Sequence, residues 1–91
     1  MPHEYRIIVS GQVQGVFFRS KTKQHADEMG IRGTVRNLNS GEVEIRVLGT
    51  KEEADRLIMA MKNEPYPIQM TSIQITKSPS TNAYSNFSIV D

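Results

Sequence analysis

The chain has 91 residues, with 11 Lys and Arg against 10 Asp and Glu, a formal net charge of +1 and no cysteine. By surface scaling such a chain folds from roughly 14,900 Å² of accessible surface to about 5,400 Å², enough for one core across residues 1–91 and no separate catalytic or regulatory domain. Without cysteine there is no disulfide framework, thiol nucleophile or cysteine-ligated metal site, and the charge balance lacks the basic excess of a typical nucleic-acid binder.

From Tyr5 to Gly11, the residues Tyr5, Ile7 and Val9 fall on one side and Arg6 and Ser10 on the other, which predicts a strand. Gly11 and Gly15 then bracket Gln12-Val13-Gln14, a loop in need of unusual backbone freedom. Phe18, Thr22, Ala26 and Met29 recur at helical spacing, and Gly30 follows as a left-handed C-terminal cap. Residues 31–38 and 42–49 alternate again. Ile31, Gly33 and Val35 share one side of the first of these strands. Val43, Ile45 and Val47 share one side of the second, with Glu44 and Arg46 turned outward. Asn39-Ser40-Gly41 joins the two with hairpin-turn chemistry.

Thr50 opens a second helix with Glu53 three residues later, the pattern of a capping box, and Ala54, Leu57, Ile58 and Met61 form its apolar stripe. Pro65 and Pro67 forbid its continuation. Ile73 and Ile75 mark a fourth strand, Ser78-Pro79-Ser80-Thr81-Asn82 reads as a loop, and Phe87 and Ile89 mark a short fifth strand. The order β-α-β-β-α-β plus a terminal strand predicts an α+β, ferredoxin-like two-layer sandwich: one antiparallel sheet with two helices on one face.

That topology brings residues 11–19 and 35–38 to the same edge of the sheet. Asn37 shares the parity of Val35 and points to the helix side where its strand runs out, while Arg19 opens the first helix. A glycine-containing loop feeding a helix N-terminus offers unpaired backbone N–H groups to a small oxyanion. Arginine adds a planar fork of donors, and asparagine adds a donor and an acceptor that can hold a water in place. No nucleophile–base pair, metal cluster or pair of close acids accompanies them. Phosphate binding with water positioning is the chemistry left, and phosphoryl transfer depends mainly on positioning and charge stabilisation.

Val9-Ser10-Gly11-Gln12-Val13-Gln14-Gly15-Val16-Phe17-Phe18-Arg19 closely resembles the first signature of the acylphosphatase family. Gly33-Thr34-Val35-Arg36-Asn37-Leu38-Asn39-Ser40-Gly41-Glu42-Val43, continued to Gly49, resembles the second. Length, element order and the terminal Tyr84-Ser85-Asn86-Phe87-Ser88-Ile89 extend the resemblance to essentially the whole chain. It implies hydrolysis of acyl phosphates to a carboxylate and inorganic phosphate, with no metal, no cofactor and no covalent enzyme intermediate. Carried over, Arg19 binds the phosphoryl group, Asn37 orients the attacking water, and the backbone amides of Gly15, Val16, Phe17, Phe18 and Arg19 form the phosphate cradle. The position after Gly33 is commonly aromatic in the family and is Thr34 here. By parity Thr34 faces the open side of the sheet, where altered packing or stability, not lost chemistry, is expected.

Two other functional classes fit parts of the pattern: a non-catalytic phosphate-sensing module built on the same pocket, and a nucleic-acid-binding sandwich. The second would carry aromatics on its central strands, and Glu42 to Leu48 has none. The mild cationic cluster of Arg19, Lys21 and Lys23 suits a small anion. His3 and His25 have no ligand partners at metal spacing and read as surface or helix-packing residues, and Met59 and Met61 as part of a core-facing helix. No apolar run approaches the ~18 residues of a membrane span, and the opening Met-Pro-His-Glu-Tyr-Arg offers no signal segment. A cytoplasmic monomer acting on small-molecule acyl phosphates, without nucleic-acid or membrane partners, is expected.

Overall fold

A computed structural model describes residues 3–91. The elements in chain order are β1 (His3–Gln12), α1 (Phe18–Met29), β2 (Arg32–Asn37), β3 (Val43–Leu48), α2 (Lys51–Lys62), β4 (Gln69–Pro79) and β5 (Phe87–Ile89). The strands form one sheet in the order β4-β1-β3-β2-β5. Tyr5, Ile7 and Val9 of β1, Val35 of β2 and Val43, Ile45 and Val47 of β3 are buried on the side covered by the helices. There they pack with Phe18 and Ala26 of α1 and with Ala54, Leu57, Ile58 and Met61 of α2 in one continuous core. No described helix is long and apolar enough to cross a membrane.

The sheet is mixed and not purely antiparallel as the element order suggests. β1 pairs antiparallel with β3 and β4, and β2 with β3, but β5 runs parallel to β2, with Gly33 opposite Phe87 and Val35 opposite Ile89. The cause is the route of the chain. β4 leaves the sheet at the end where β1 begins, and residues 80–86 cross along that same end, so β5 sets off in the direction of β2. Its end therefore arrives beside the end of β2.

One boundary and one burial also differ from expectation. β4 runs from Gln69 to Pro79, so Ser78 and Pro79 belong to the strand and not to the loop that follows it. Most of this edge strand is exposed, and its alternation is correspondingly weak in sequence. Met59 is also exposed, and only Met61 of that pair is core-facing.

Glycine is required at one point of β2. Gly33 has φ +152°, and a Cβ there would fall 1.8 Å from the Arg46 carbonyl oxygen of the neighbouring strand. Only a residue without a side chain lets the two backbones approach this closely.

The open side of the sheet is polar and tightly partnered. Glu44 does face outward from β3, yet its side chain is only 1 % exposed. It accepts from Arg6 Nε at 2.6 Å, Arg36 Nε at 2.9 Å and Arg46 Nε at 3.1 Å. Arg46 Nη1 also donates to Glu4 Oε2 at 2.6 Å. The other Glu4 oxygen accepts from Ser80 Oγ at 3.2 Å, Asn82 Nδ2 at 3.0 Å and Tyr84 Oη at 3.1 Å. Burial alone would raise both carboxyl pKa values. The hydrogen bonds from Asn82, Arg46 and Tyr84 to Glu4, and from Arg36, Arg6 and Arg46 to Glu44, outweigh burial and hold both below the usual 4.5. The Glu4 cluster fastens the crossing segment to the start of β1 and so aims β5. Thr34 lies on this side too, opposite Arg46.

Candidate active site

The two helices have equal length, 12 residues each, and opposite N-termini. α2 is closed by its capping box: Thr50 Oγ1 accepts from the Glu53 N–H at 3.2 Å, and Glu53 Oε1 accepts from the Thr50 N–H at 3.0 Å. Glu52 and Glu53 add negative charge to that first turn. α1 has no side-chain cap and no acid in its first turn. Its first amide bond to the preceding turn runs from the Lys21 N–H to the Phe17 carbonyl at 3.0 Å. The N–H groups ahead of it, at Phe18, Arg19 and Ser20, have no intrahelical acceptor. An uncapped N-terminus leaves both partial positive charge and donors open to an anion.

The loop before α1 bends to aim those donors. Gly15 has φ +73°, a conformation glycine adopts without strain. Phe17, the N-cap, is left-handed as well, with φ 63° and ψ 23°. It is the one non-glycine residue among those described with positive φ, a conformation that costs a β-carbon-bearing residue roughly 1–2 kcal/mol. The loop is tied to the β2–β3 hairpin by Gln14, whose Nε2 donates to the carbonyls of Leu38 at 2.9 Å and Glu42 at 2.8 Å. That clamp holds the turn before α1 against the segment just after Asn37.

Gly15, Phe17, Phe18, Arg19 and Asn37 line a single cavity of about 290 Å³. Val13, Ser20 and Ile89 complete it. Of the residues singled out in the sequence, the structure brings all but one to this cavity. The Val16 side chain packs against the core instead, leaving only its backbone in the turn. Asn37 Oδ1 is fully buried and has no hydrogen-bond partner. Buried polar atoms are nearly always paired, because an unpaired one costs about 1–3 kcal/mol. Asn37 lines the cavity beside an uncapped helix start, and its buried acceptor has no donor from the chain itself.

The cationic cluster resolves into separate roles. Lys23 Nζ is engaged with Asp27 at 2.8 Å and with the Phe87 carbonyl at 3.0 Å, bracing β5 against α1. Arg19 enters no salt bridge among the described residues and lines the cavity. His25 Nε2 lies 2.6 Å from Glu64 Oε2 and joins α1 to the end of α2, while His3 is exposed. Neither histidine lines the cavity. Among the described residues no three His, Cys, Asp or Glu side chains could hold a metal ion together.

Gln14 and Ile89 were invisible to sequence reasoning as site residues. The acceptors of Gln14 lie 24 and 28 positions away. Ile89 reaches the cavity only through the parallel pairing of β5 with β2.

An α+β sandwich of the ferredoxin-like type with an open, uncapped helix start at one sheet edge defines the class. The acylphosphatase family model matches residues 5–89. An acylphosphatase of Alkalilimnicola ehrlichii is 40% identical over 76 residues, covering 84% of this chain and 85% of that protein. The crystal structure of acylphosphatase from Bacillus subtilis superposes with a TM-score of 0.87 at 38% identity, over 98% of this chain and 99% of that one. Full-length HypF, in a phosphate- and nucleotide-bound form, matches all of this chain with 12% of its own length, at TM-score 0.86 and 28% identity. The chain belongs to the acylphosphatase family.

Proposed function

We propose that this chain hydrolyses the carboxyl–phosphate bond of acyl phosphates, with Arg19 and the amides of residues 15–19 holding the phosphoryl group and Asn37 holding the attacking water. The observation that carries the reading is the unpartnered, buried Oδ1 of Asn37, a residue that lines the same cavity as Arg19 beside the uncapped start of α1. Oδ1 accepts one hydrogen of the water and leaves an oxygen lone pair for phosphorus. As the new P–O bond forms, the bond from phosphorus to the acyl oxygen breaks. The carboxylate departs with the electron pair. The proton released by the water passes to a phosphoryl oxygen, since no carboxylate or imidazole lines the cavity to accept it.

The guanidinium and the amides stabilise charge on the equatorial oxygens throughout. The leaving carboxylate is a weak base, so the scheme needs neither a general acid nor a metal. The chain is taken to act as a cytoplasmic monomer, in keeping with its lack of cysteine.

The test is loss of benzoyl phosphate absorbance in the presence of EDTA, with Arg19→Ala in parallel. Fast turnover that vanishes in the variant is the expected result. A folded wild-type protein that binds phosphate but turns nothing over would leave a phosphate-sensing module in place of the enzyme. Rate dependence on a group titrating near pH 6.5 would implicate a histidine and sink the scheme.

A further inference from the structure

Phe17 is placed against the interests of folding twice over. Its backbone is left-handed, where glycine would be unstrained. Its ring is 81 % exposed, so it gains little from the core. Ile89, at the end of β5, is also an exposed large apolar residue, at 41 %. These two side chains line the same cavity as Arg19 and Asn37. The cavity, at about 290 Å³, is larger than a phosphoryl group alone fills. Its polar groups are gathered at Arg19, Ser20 and Asn37, and its remaining side chains are apolar.

We propose that Phe17 and Ile89 form an apolar slot at the mouth of the cavity that receives the acyl group of the substrate and favours a flat aromatic acyl phosphate over a short aliphatic or charged one. The proposal rests on the hydrolase reading of the same cavity. With the phosphoryl group held at the helix start, the carboxyl carbon and its substituent must project outward. An aromatic substituent there can lie against the Phe17 ring in an offset or edge-to-face arrangement, with Ile89 available as a second apolar contact. No lysine, and no arginine besides Arg19, lines the cavity to attract a charged tail. The ring is carried by the same turn that presents the phosphate-binding amides, so its backbone position is fixed relative to them.

The test compares benzoyl phosphate with acetyl phosphate in steady-state kinetics, and phenylphosphonate with methylphosphonate in titration calorimetry, on wild type, Phe17→Gly, Phe17→Tyr and Ile89→Ala. Phe17→Gly is expected to lower the benzoyl-to-acetyl ratio of kcat/KM, and the phenyl-to-methyl affinity ratio, by about tenfold. Ile89→Ala is expected to lower both about threefold, and Phe17→Tyr to keep them. Phe17→Gly should also raise the urea midpoint, because the left-handed position no longer carries a β-carbon. Ratios unchanged in both Phe17→Gly and Ile89→Ala would overturn the slot, and so would a lower midpoint in Phe17→Gly, which would make the ring a packing residue. If wild type turned over neither acyl phosphate, the hydrolase reading would fall, while the phosphonate ratios would still decide the slot.

Discussion

Asn37 and Glu44 are diagonal neighbours across the β2–β3 ladder, since Asn37 pairs with Val43 and Arg36 with Glu44. They point to opposite sides of the sheet and are treated oppositely. Glu44 is a buried carboxylate with three arginines on its two oxygens. Asn37 is a neutral amide whose buried oxygen has no partner at all. The larger cost of desolvation falls on the charge, and there the fold has met it completely. The smaller cost, on the amide, has been left standing. The difference separates what holds the protein together from what it holds open for another molecule.

The comparison can be broken most forcefully at the open side of the helix start. Arg19→Ala is expected to lower turnover by about 10³–10⁵, the scale of an arginine that neutralises a transferring phosphoryl group. Arg19→Lys should recover little of it, because a point charge does not reproduce the planar fork. Steady-state kinetics on acyl phosphate reads both. Asn37→Ala is expected to lose on the order of 10²–10³ in turnover, by analogy with removal of one preorganised hydrogen-bonding group. Competition by inorganic phosphate should survive the change, and the urea midpoint should not fall, because an unpaired buried acceptor has been removed. Abolished phosphate binding would show Asn37 to be part of the cradle and not the water site.

Glu44→Gln inverts that outcome. It is expected to cost about 2–3 kcal/mol of stability, the scale of charge-assisted hydrogen bonds lost from a buried group, with turnover within about twofold of wild type. Urea unfolding and kinetics on the same sample would separate the two sites cleanly.

The gentlest perturbation is acid. Glu4 and Glu44 are both held below 4.5 in the folded protein, so protons bind the unfolded chain more readily. Their contribution is complete above about pH 4.5 and is lost as pH falls through the lower folded values. The urea midpoint should therefore be level from neutrality down to about pH 5 and decline below about pH 4.5, with a smaller decline in Glu44→Gln. The scheme draws on no side chain that takes up or releases a proton, so turnover should stay level near neutrality.

Much of this was readable in the residues themselves where the signal is local. The Thr50–Glu53 box, the Gly30 cap and the alternation of Tyr5, Ile7 and Val9 each need only a few neighbouring positions. Parity alone carried Asn37 to the helix side, and the topology then set it beside Arg19. What escaped depends on distant partners. The burial of Glu44 requires arginines from β1, β2 and β3 at once, so an alternating strand showed it only as an outward-facing acid. The parallel course of β5 depends on where β4 leaves the sheet. A three-residue strand has too little pattern to announce its direction. The Gln14 clamp joins a loop to a hairpin through carbonyls, which have no side-chain signature.

The β1–β4 ladder runs from His3 opposite Pro79 to Gln12 opposite Gln69, uniting segments from near the two ends of the chain. Loop-closure entropy opposes such a pairing until most of the intervening chain is in place, and topologies dominated by distant contacts fold in milliseconds to seconds instead of microseconds. Helix–coil and hairpin steps are far quicker. Residues 13–19 and the β2–β3 hairpin can therefore take local shape early, yet they meet as one cavity only when the sheet closes around them. The rate at which activity returns on refolding should thus follow the zippering of the β1–β4 ladder, whose Gln12 end lies one residue before Val13 of the cavity.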